Sequence, residues 1–261
     1  MIDSIANVFL FLTRDQFIIP LIILGYIWID RDTFYHATCL ILISMIFNTA
    51  LKVTFQIPLS PLLGKEGFAF PSGHMQSAAT FFGWLAFRSN SLAIRILIVA
   101  LLTGIGLSLV HFQYHNYYDV LAAVFFALLQ IVAYYQIITK AKRISRWIII
   151  FASTILVAYI SFKFAAIGGH VWMAYYALIG FIIAEKIFNR FNLARSLREK
   201  IVNTIICFGS VVGIIFIFSN KIFVSLPLFI TNVQWLIIGF IVPAVSQLTW
   251  ISKRQEVGQV E

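Results

Sequence analysis

The stretch Phe68-Ala-Phe-Pro-Ser-Gly-His74 forms a short break between two hydrophobic runs of the chain. Proline, serine and glycine in succession interrupt regular structure, and the apolar residues from Ala78 onward predict a new helix. We therefore expect His74 to lie in or beside the first turn of that helix. A helix N-terminus carries unpaired backbone N–H groups and a partial positive charge, and glycine lets an anion approach the backbone closely. The turn is thus a candidate phosphate site if partners lie elsewhere in the chain.

The composition around this turn excludes a soluble globular domain. The chain is 61% hydrophobic and 11% charged, with a mean hydropathy of +0.94. Soluble domains are about 45–50% apolar and about 25% charged. The excess apolar surface must face lipid, which predicts an all-α, polytopic transmembrane helix bundle with a single membrane domain. The net charge of +9 is spread over short loops between apolar runs, so we expect no nucleic-acid partner.

Apolar runs of about 17–25 residues predict nine membrane-spanning helices. They lie at Gln16–Ile29, Phe34–Val53, Met75–Phe87, Leu92–Val110, Val120–Thr139, Trp147–Phe164, Val171–Ile187, Ile201–Phe218 and Val233–Ile251. We expect the stretch before Arg14 to form an interfacial helix that packs against the first span. With the N-terminus outside, 14 of the 19 lysines and arginines lie on the inner side, as the positive-inside rule requires. The same topology places Pro71–His74 and the loop near His115 together on the outer side.

Asp119 is the one acidic residue between Gly67 and Ala184, and it follows His115 by four positions. If the next helix begins by Asn116, the two side chains share one helical face. The carboxylate could then fix the imidazole tautomer and make the other ring nitrogen a better nucleophile or base. Ionisable residues at membrane depth are usually functional. The alternative is that both residues lie in the headgroup zone, where polarity costs little, and the pair by itself leaves the two open.

Three further polar residues are predicted on the outer side. Lys52 ends the second span and is either a phosphate ligand or an interfacial anchor. Lys65 lies in a short loop, where solvation alone would explain it. His111 falls one helical turn before His115 and is either an auxiliary partner of that residue or an ordinary interfacial side chain. Lys65 and His111 are therefore possible auxiliary residues of the site.

The residue types at this predicted site favour chemistry without a metal. Histidine and aspartate could bind zinc, but a single carboxylate is poor for magnesium, which prefers several oxygen ligands. Two histidines, one aspartate, one lysine and a helix N-terminus suit phosphoryl transfer through a histidine nucleophile. We therefore expect neither a metal nor another cofactor.

The motif Pro71-Ser72-Gly73-His74, preceded by Lys52 and followed by His115-x-x-x-Asp119, resembles the membrane-bound type 2 phosphatidic acid phosphatase superfamily. The resemblance covers roughly Leu51 to Ala123. It implies a six-helix phosphatase-like core in residues 1–165, with about three additional helices of the same membrane domain in residues 166–261.

The resemblance also implies a role for each motif residue. His115 would be the nucleophile that forms a phosphohistidine, and Asp119 would orient and polarise it. His74 would be the general acid that protonates the leaving group. Phosphate would be bound by Lys52, Ser72 and Gly73.

Two arginines of the family pattern are missing. The family places Arg-Pro seven residues after its lysine, where this chain has Leu59-Ser60, and it begins its third motif with Ser-Arg, where this chain has Ser108-Leu109. Arginine binds phosphate through two parallel hydrogen bonds, whereas lysine acts as a point charge. We expect weaker phosphate binding unless a nearby residue compensates; the candidates are Lys65, His111, Gln56 and Gln113.

The resemblance implies a phosphatase of a lipid-linked phosphate or diphosphate at the outer face of the membrane. In a bacterial inner membrane that site would face the periplasm. Two alternatives remain open: a lipid phosphotransferase that passes the group to an alcohol, and a catalytically silent scaffold or lipid carrier, which the loss of both arginines suggests. The sequence does not identify the lipid.

Overall fold

A computed structural model of the chain describes residues 2–59, 64, 66–164, 168–188, 196–219 and 228–246. Within these residues the fold is a bundle of ten α-helices without a β-strand. The helices are α1 (Ile2–Phe11), α2 (Asp15–Leu24), α3 (Arg31–Phe55), α4 (Gly73–Arg88), α5 (Leu92–His111), α6 (Tyr117–Lys140), α7 (Ser145–Lys163), α8 (Gly169–Phe188), α9 (Leu197–Phe218) and α10 (Leu228–Val245). A π-helical segment, Gly25–Ile29, continues α2.

The predicted polytopic all-α architecture is confirmed, because each of the nine predicted spans overlaps a helix in the described residues. Six helices, α3 and α5 to α9, are long and apolar enough to cross a membrane. The α1 helix and the α2 segment, bent by 50° at the break between them, would together make a seventh. The α4 helix has only 16 residues. The last predicted span, Val233–Ile251, ends outside the described residues.

The N-terminal helix α1 contacts the first predicted span through the rings of Phe11 and Phe17, whose centroids are 6.1 Å apart, but it also packs against α5, which the sequence did not predict. Gly104 on α5 has no side chain, and the Phe9 ring fills that space: a Cβ on Gly104 would lie 2.4 Å from it. The Asp3 carboxylate also lies 2.7 Å from the His111 Nε2 on α5. The space at a single glycine of α5 produces no periodic pattern in the sequence of α1. The sequence therefore did not predict that α1 packs against α5.

The two ends of the bundle are distinguished by which helix termini meet there. At one end, which we call the site end, the last turns of α3 meet the first turn of α8, where Thr49 Oγ1 lies 3.1 Å from His170 Nε2. At the opposite end, Arg31 at the start of α3 donates to Glu185 at the end of α8 over 2.9 Å. The α3 and α8 helices are therefore antiparallel.

The C-terminal helices pack closely against one another and against the rest of the bundle. Cβ atoms on Gly180 of α8 and Gly239 of α10 would lie 2.1 and 2.2 Å from backbone carbonyl oxygens of the other helix. Only glycine allows backbones this close, a common device between membrane helices. The α8 helix in turn packs against α3, where the rings of Tyr35 and Phe181 stack with centroids 5.6 Å apart.

Candidate active site

The Pro-Ser-Gly-His turn and the start of α6 are joined by a direct hydrogen bond. The backbone N–H of Ser72 donates to the backbone carbonyl of Asp119 over 3.1 Å. The Ser72 hydroxyl also accepts from the Met75 N–H at 3.4 Å and so caps α4. The two sequence motifs, far apart along the chain, therefore meet at the site end of the bundle.

His115 and Asp119 are neighbours, but not on one helical face as the sequence predicted. The α6 helix begins only at Tyr117, after the N-cap Asn116, so His115 lies just before the helix. Asp119 reaches back to it as part of a capping box. Its Oδ2 accepts from the Asn116 N–H at 3.1 Å, and the Asn116 side chain accepts from the Asp119 N–H at 2.8 Å. One carboxylate thus caps α6 and faces the imidazole.

The contact between the two side chains is longer than a good hydrogen bond. His115 Nδ1 lies 3.4 Å from Asp119 Oδ2, and both side chains are largely buried. Nδ1 is itself buried and has no hydrogen-bond partner of good geometry among the described residues. At this distance the carboxylate can orient the imidazole, and a small ring movement would make the full hydrogen bond.

The surroundings of His115 favour its neutral, nucleophilic form. Burial lowers the pKa of the His115 imidazole, and the positive charge of Lys52 lowers it further. The Asp119 carboxylate opposes both effects. The net lowering keeps a ring nitrogen unprotonated at neutral pH, as a nucleophile requires.

The positive charge of Lys52 acts on both histidines of the site. Its Nζ donates to the backbone carbonyl of Phe68 over 2.7 Å, which holds the loop that leads into the turn. Its charge acts on both His74 and His115, and the Asp119 charge acts on Lys52. An ammonium has three N–H groups, so two remain for a phosphate.

His74 lies in the first turn of α4, as predicted, and its side chain is exposed. The charged groups that act on its imidazole are Lys52, Asp15 and Arg14. Arg14 is exposed at the start of α2, and its side chain makes no capping hydrogen bond there. In the sequence this arginine served only as a topology marker, because nothing in the spacing connects residue 14 with residue 74.

Asn48 holds the turn against α3, and the sequence analysis missed it. Its Nδ2 donates to the Pro71 carbonyl at 3.2 Å and to Gln76 Oε1 at 2.8 Å. A Cβ on Gly73 would lie 3.1 Å from Asn48 Oδ1, so glycine fits the close approach of the turn to α3. A signal was present: Asn48 precedes Lys52 by four residues, which places both on one helical face.

The leucines that replace the two arginines occupy different environments. Leu59 is half-buried in the loop, where its N–H donates to the Gly67 carbonyl over 3.0 Å. Leu109 is a core residue with 1% exposure. Its backbone carbonyl accepts from the Tyr114 N–H at 3.0 Å and the His115 N–H at 3.3 Å. Leu109 thus supports the His115 loop through its backbone, while its side chain packs in the hydrophobic core.

Among the auxiliary candidates, only His111 has a described side-chain partner, and that partner lies on α1. His111 is exposed, and its partner is Asp3 on α1. Lys65 lies outside the described residues. Gln56 and Gln113 both have a positive φ, 52° and 56°, at turn positions. In the described part of the chain, no group of three or more His, Cys, Asp or Glu side chains could hold a metal ion.

One family model matches the region that contains these residues. Residues 32–143 match the model of the PAP2 superfamily. The match begins in α3 and ends just after α6, so it includes Lys52, the turn before His74, and the pair His115 and Asp119. The helices α8 to α10 lie beyond it. No curated protein and no solved structure matches the chain significantly.

Proposed function

Since residues 32–143 match the model of the PAP2 superfamily and six described helices are long and apolar enough to cross a membrane, we propose that the chain is a metal-independent phosphatase of a lipid-linked phosphate or diphosphate. The observation that carries the proposal is the junction of the two motifs. The Ser72 N–H donates to the Asp119 carbonyl at 3.1 Å, which places the α4 N-terminus beside the pair of His115 and Asp119. A positively charged phosphate seat therefore adjoins a neutral imidazole that faces a carboxylate.

The first chemical step is attack by His115 on phosphorus. The ring nitrogen away from Asp119 forms the new N–P bond while the P–O bond to the lipid breaks. His74 in its protonated form donates its proton to the leaving oxygen, although desolvation and the positive charge of Lys52 lower the pKa of this imidazole. The positive charge that develops on the His115 ring is stabilised by the Asp119 carboxylate, whose Oδ2 lies 3.4 Å from Nδ1.

The second step is hydrolysis of the phosphohistidine. Water attacks phosphorus, the N–P bond breaks, and inorganic phosphate is released. His74, now neutral, accepts the proton from the attacking water and is thereby restored. No atom beyond those of lipid, water and the two histidines is needed for the cycle to close.

Phosphate binding falls to Lys52 and the α4 N-terminus. Lys52 has two N–H groups beyond the one given to Phe68, and the Gly73 turn presents backbone N–H groups. The Ser72 hydroxyl accepts from Met75 and keeps its own hydrogen as a donor, although Ser72 is fully buried, so a phosphate would have to enter the turn to reach it. Leu59 and Leu109 stand where the family has arginine. Arg14, at the start of α2, is an arginine whose charge acts on His74.

We also propose that the site lies on the outer face of the membrane, which would be the periplasmic face in a bacterial inner membrane. The support for this orientation is the bias of lysine and arginine, since the predicted topology assigns 14 of the 19 to the other side, in loops or near helix ends. Histidine and lysine at the outer surface would then meet the phosphate of a lipid whose chains lie in the bilayer.

The test is phosphate release from a panel of lipid phosphates and diphosphates by the purified protein. We expect His115→Ala to lose activity by about 10³-fold or more, because no nucleophile remains. The control is His36→Gln, since His36 bonds Tyr134 at 2.8 Å beside Asp32, away from the site end. Equal activity in wild type and His115→Ala would overturn the assignment. Transfer of the labelled group to an added alcohol, without free phosphate, would identify a phosphotransferase instead.

A further inference from the structure

An elongated apolar cavity of about 110 Å³ lies inside the bundle, between α2 and α3 on one side and α8, α9 and α10 on the other. Its walls include Ile18, Leu42, Ala177 and Ile238. Among the described residues that line it, Asp15 is the only charged one. Protein interiors are close-packed, and an apolar cavity of this kind stays dry and takes apolar ligands. The walls therefore select a hydrocarbon over water or a polar ligand.

The cavity runs along the helices rather than across them. On α2 its lining extends from Asp15 to Ile23, and on α3 from Thr38 to Met45. At a rise of about 1.5 Å per residue, these stretches are about 10–12 Å long. That shape fits a segment of an extended alkyl or isoprenoid chain.

The charged end of the cavity adjoins the site end of the bundle. Asp15 lines the cavity, and its charge, like that of the neighbouring Arg14, acts on the His74 imidazole. The α3 helix continues from Met45, in the cavity wall, to Lys52 at the site. The carboxylate of Asp15 thus lies at this end of the cavity, next to Arg14 in the sequence, and Lys52 lies about 10 Å farther along α3 than Met45. Apolar walls lead away from this charged end, as a bound lipid with a charged headgroup and a hydrocarbon chain requires.

We propose that this cavity holds a hydrocarbon chain of the lipid whose phosphate is bound at His74 and His115. The assignment rests on the proposed phosphatase function, and it gives the C-terminal helices a part in selecting the substrate. Ala177 on α8 and Ile238 on α10 form the far wall, and both helices lie beyond the PAP2 match at residues 32–143. At Gly180 and Gly239 the backbones of α8 and α10 are in direct contact within that wall.

Photolabelling tests the site without relying on catalysis. The probe is a long-chain lipid phosphate with a diazirine near the middle of its chain, incubated with the full-length protein in nanodiscs. We expect labelled peptides from α2, α8 and α10, and displacement of the label by a long-chain lipid phosphate but not by a short-chain one. Displacement by phosphatidylcholine to the same extent would show that bulk bilayer lipid fills the cavity, and would overturn the proposal.

Two variants that fill the cavity complete the test. Ala177→Phe and Leu42→Trp each place a ring in the cavity, while Val212→Phe adds the same bulk on a face of α9 that is 63% exposed. We expect the KM for a long-chain substrate to rise about 10-fold or more in the filling variants. The KM for a short-chain substrate, and both values in the control, should stay unchanged. Unchanged long-chain labelling and KM in both filling variants would contradict the proposal.

The outcomes separate this inference from the proposed function. If the probe labels the cavity but no lipid phosphate is hydrolysed, the phosphatase assignment fails and the chain-binding site stands. If lipid phosphates are hydrolysed but the label maps elsewhere, the phosphatase assignment stands and the cavity assignment fails. If a filling variant does not fold, the wild-type labelling and the other variant still decide.

Discussion

Replacing Asp119 by asparagine isolates the part that its charge plays in the proposed catalysis. Asparagine keeps the size of the side chain and an amide oxygen that can still accept from the Asn116 N–H, so the α6 cap can persist. What disappears is the negative charge 3.4 Å from His115 Nδ1. At an effective dielectric constant of about 20, a unit charge pair at that distance interacts by about 5 kcal/mol.

That interaction grows as the His115 ring becomes positive during attack, so its loss acts on the transition state. Desolvation offsets part of it, and the Coulomb energy sets an upper limit of about 10³–10⁴-fold on the loss of rate. We expect Asp119→Asn to lower kcat for phosphate release by about 10²–10³-fold. The assay is phosphate release at saturating lipid phosphate, with thermal unfolding in the same detergent to monitor the fold.

The chain contains a matched control for this substitution. Glu199 completes a second capping box, at the start of α9, where its Oε2 accepts from the Ser196 N–H at 3.0 Å. Glu199→Gln makes the same carboxylate-to-amide change in a cap outside the site. We expect it to leave kcat unchanged. The reasoning fails if Asp119→Asn releases phosphate at a rate within about twofold of wild type, because Asp119 would then not stabilise the charged imidazole.

Three further expectations follow from the geometry. Burial and the charge of Lys52 lower the pKa of His115, so phosphohistidine formation should persist below pH 6.5. Lys52→Met removes one of these effects and should move the acid limb of the pH profile of single-turnover phosphohistidine formation to higher pH. An acid limb at the same or a lower pH would contradict this. Asn48→Ala should cost about 1–3 kcal/mol in the free energy of unfolding, because it leaves the Pro71 carbonyl unpaired; unaltered thermal unfolding would count against it. Leu109→Arg should destabilise the fold, because it buries a charge at a position with 1% exposure. Leu59→Arg should be tolerated, because Leu59 lies in a half-buried loop. A stable and more active Leu109→Arg protein would refute this.

The helical architecture could be predicted because membrane spans are encoded locally. A spanning helix needs a continuous apolar run, and each of the nine runs overlaps a helix in the described residues; six of these helices are by themselves long and apolar enough to span. Packing partners are not encoded in this way. The α1 helix lies against α5 because Phe9 fills the space at Gly104, a contact between two residues that no periodicity links.

The candidate site divides in the same way. Residue types and motifs pointed to His74, His115 and Asp119, and the structure brings the two motifs together through Ser72 and Asp119. The sequence did not predict that Asp119 would reach His115 from a capping box, because that depends on where α6 begins, and helix boundaries are weakly encoded. It also missed Asn48, whose two hydrogen bonds to the turn depend on how α3 and α4 pack.

The most direct measurement of the central claim is the position of a trapped phosphoryl group. The purified protein is mixed with lipid phosphate labelled on phosphorus, denatured in base within one turnover, and digested for mass spectrometry of acid-labile phosphopeptides. The account predicts label on His115, absent from His115→Ala and from wild type quenched in acid. Label on His74 instead, or phosphate release at the wild-type rate by His115→Ala without any phosphohistidine, would contradict it.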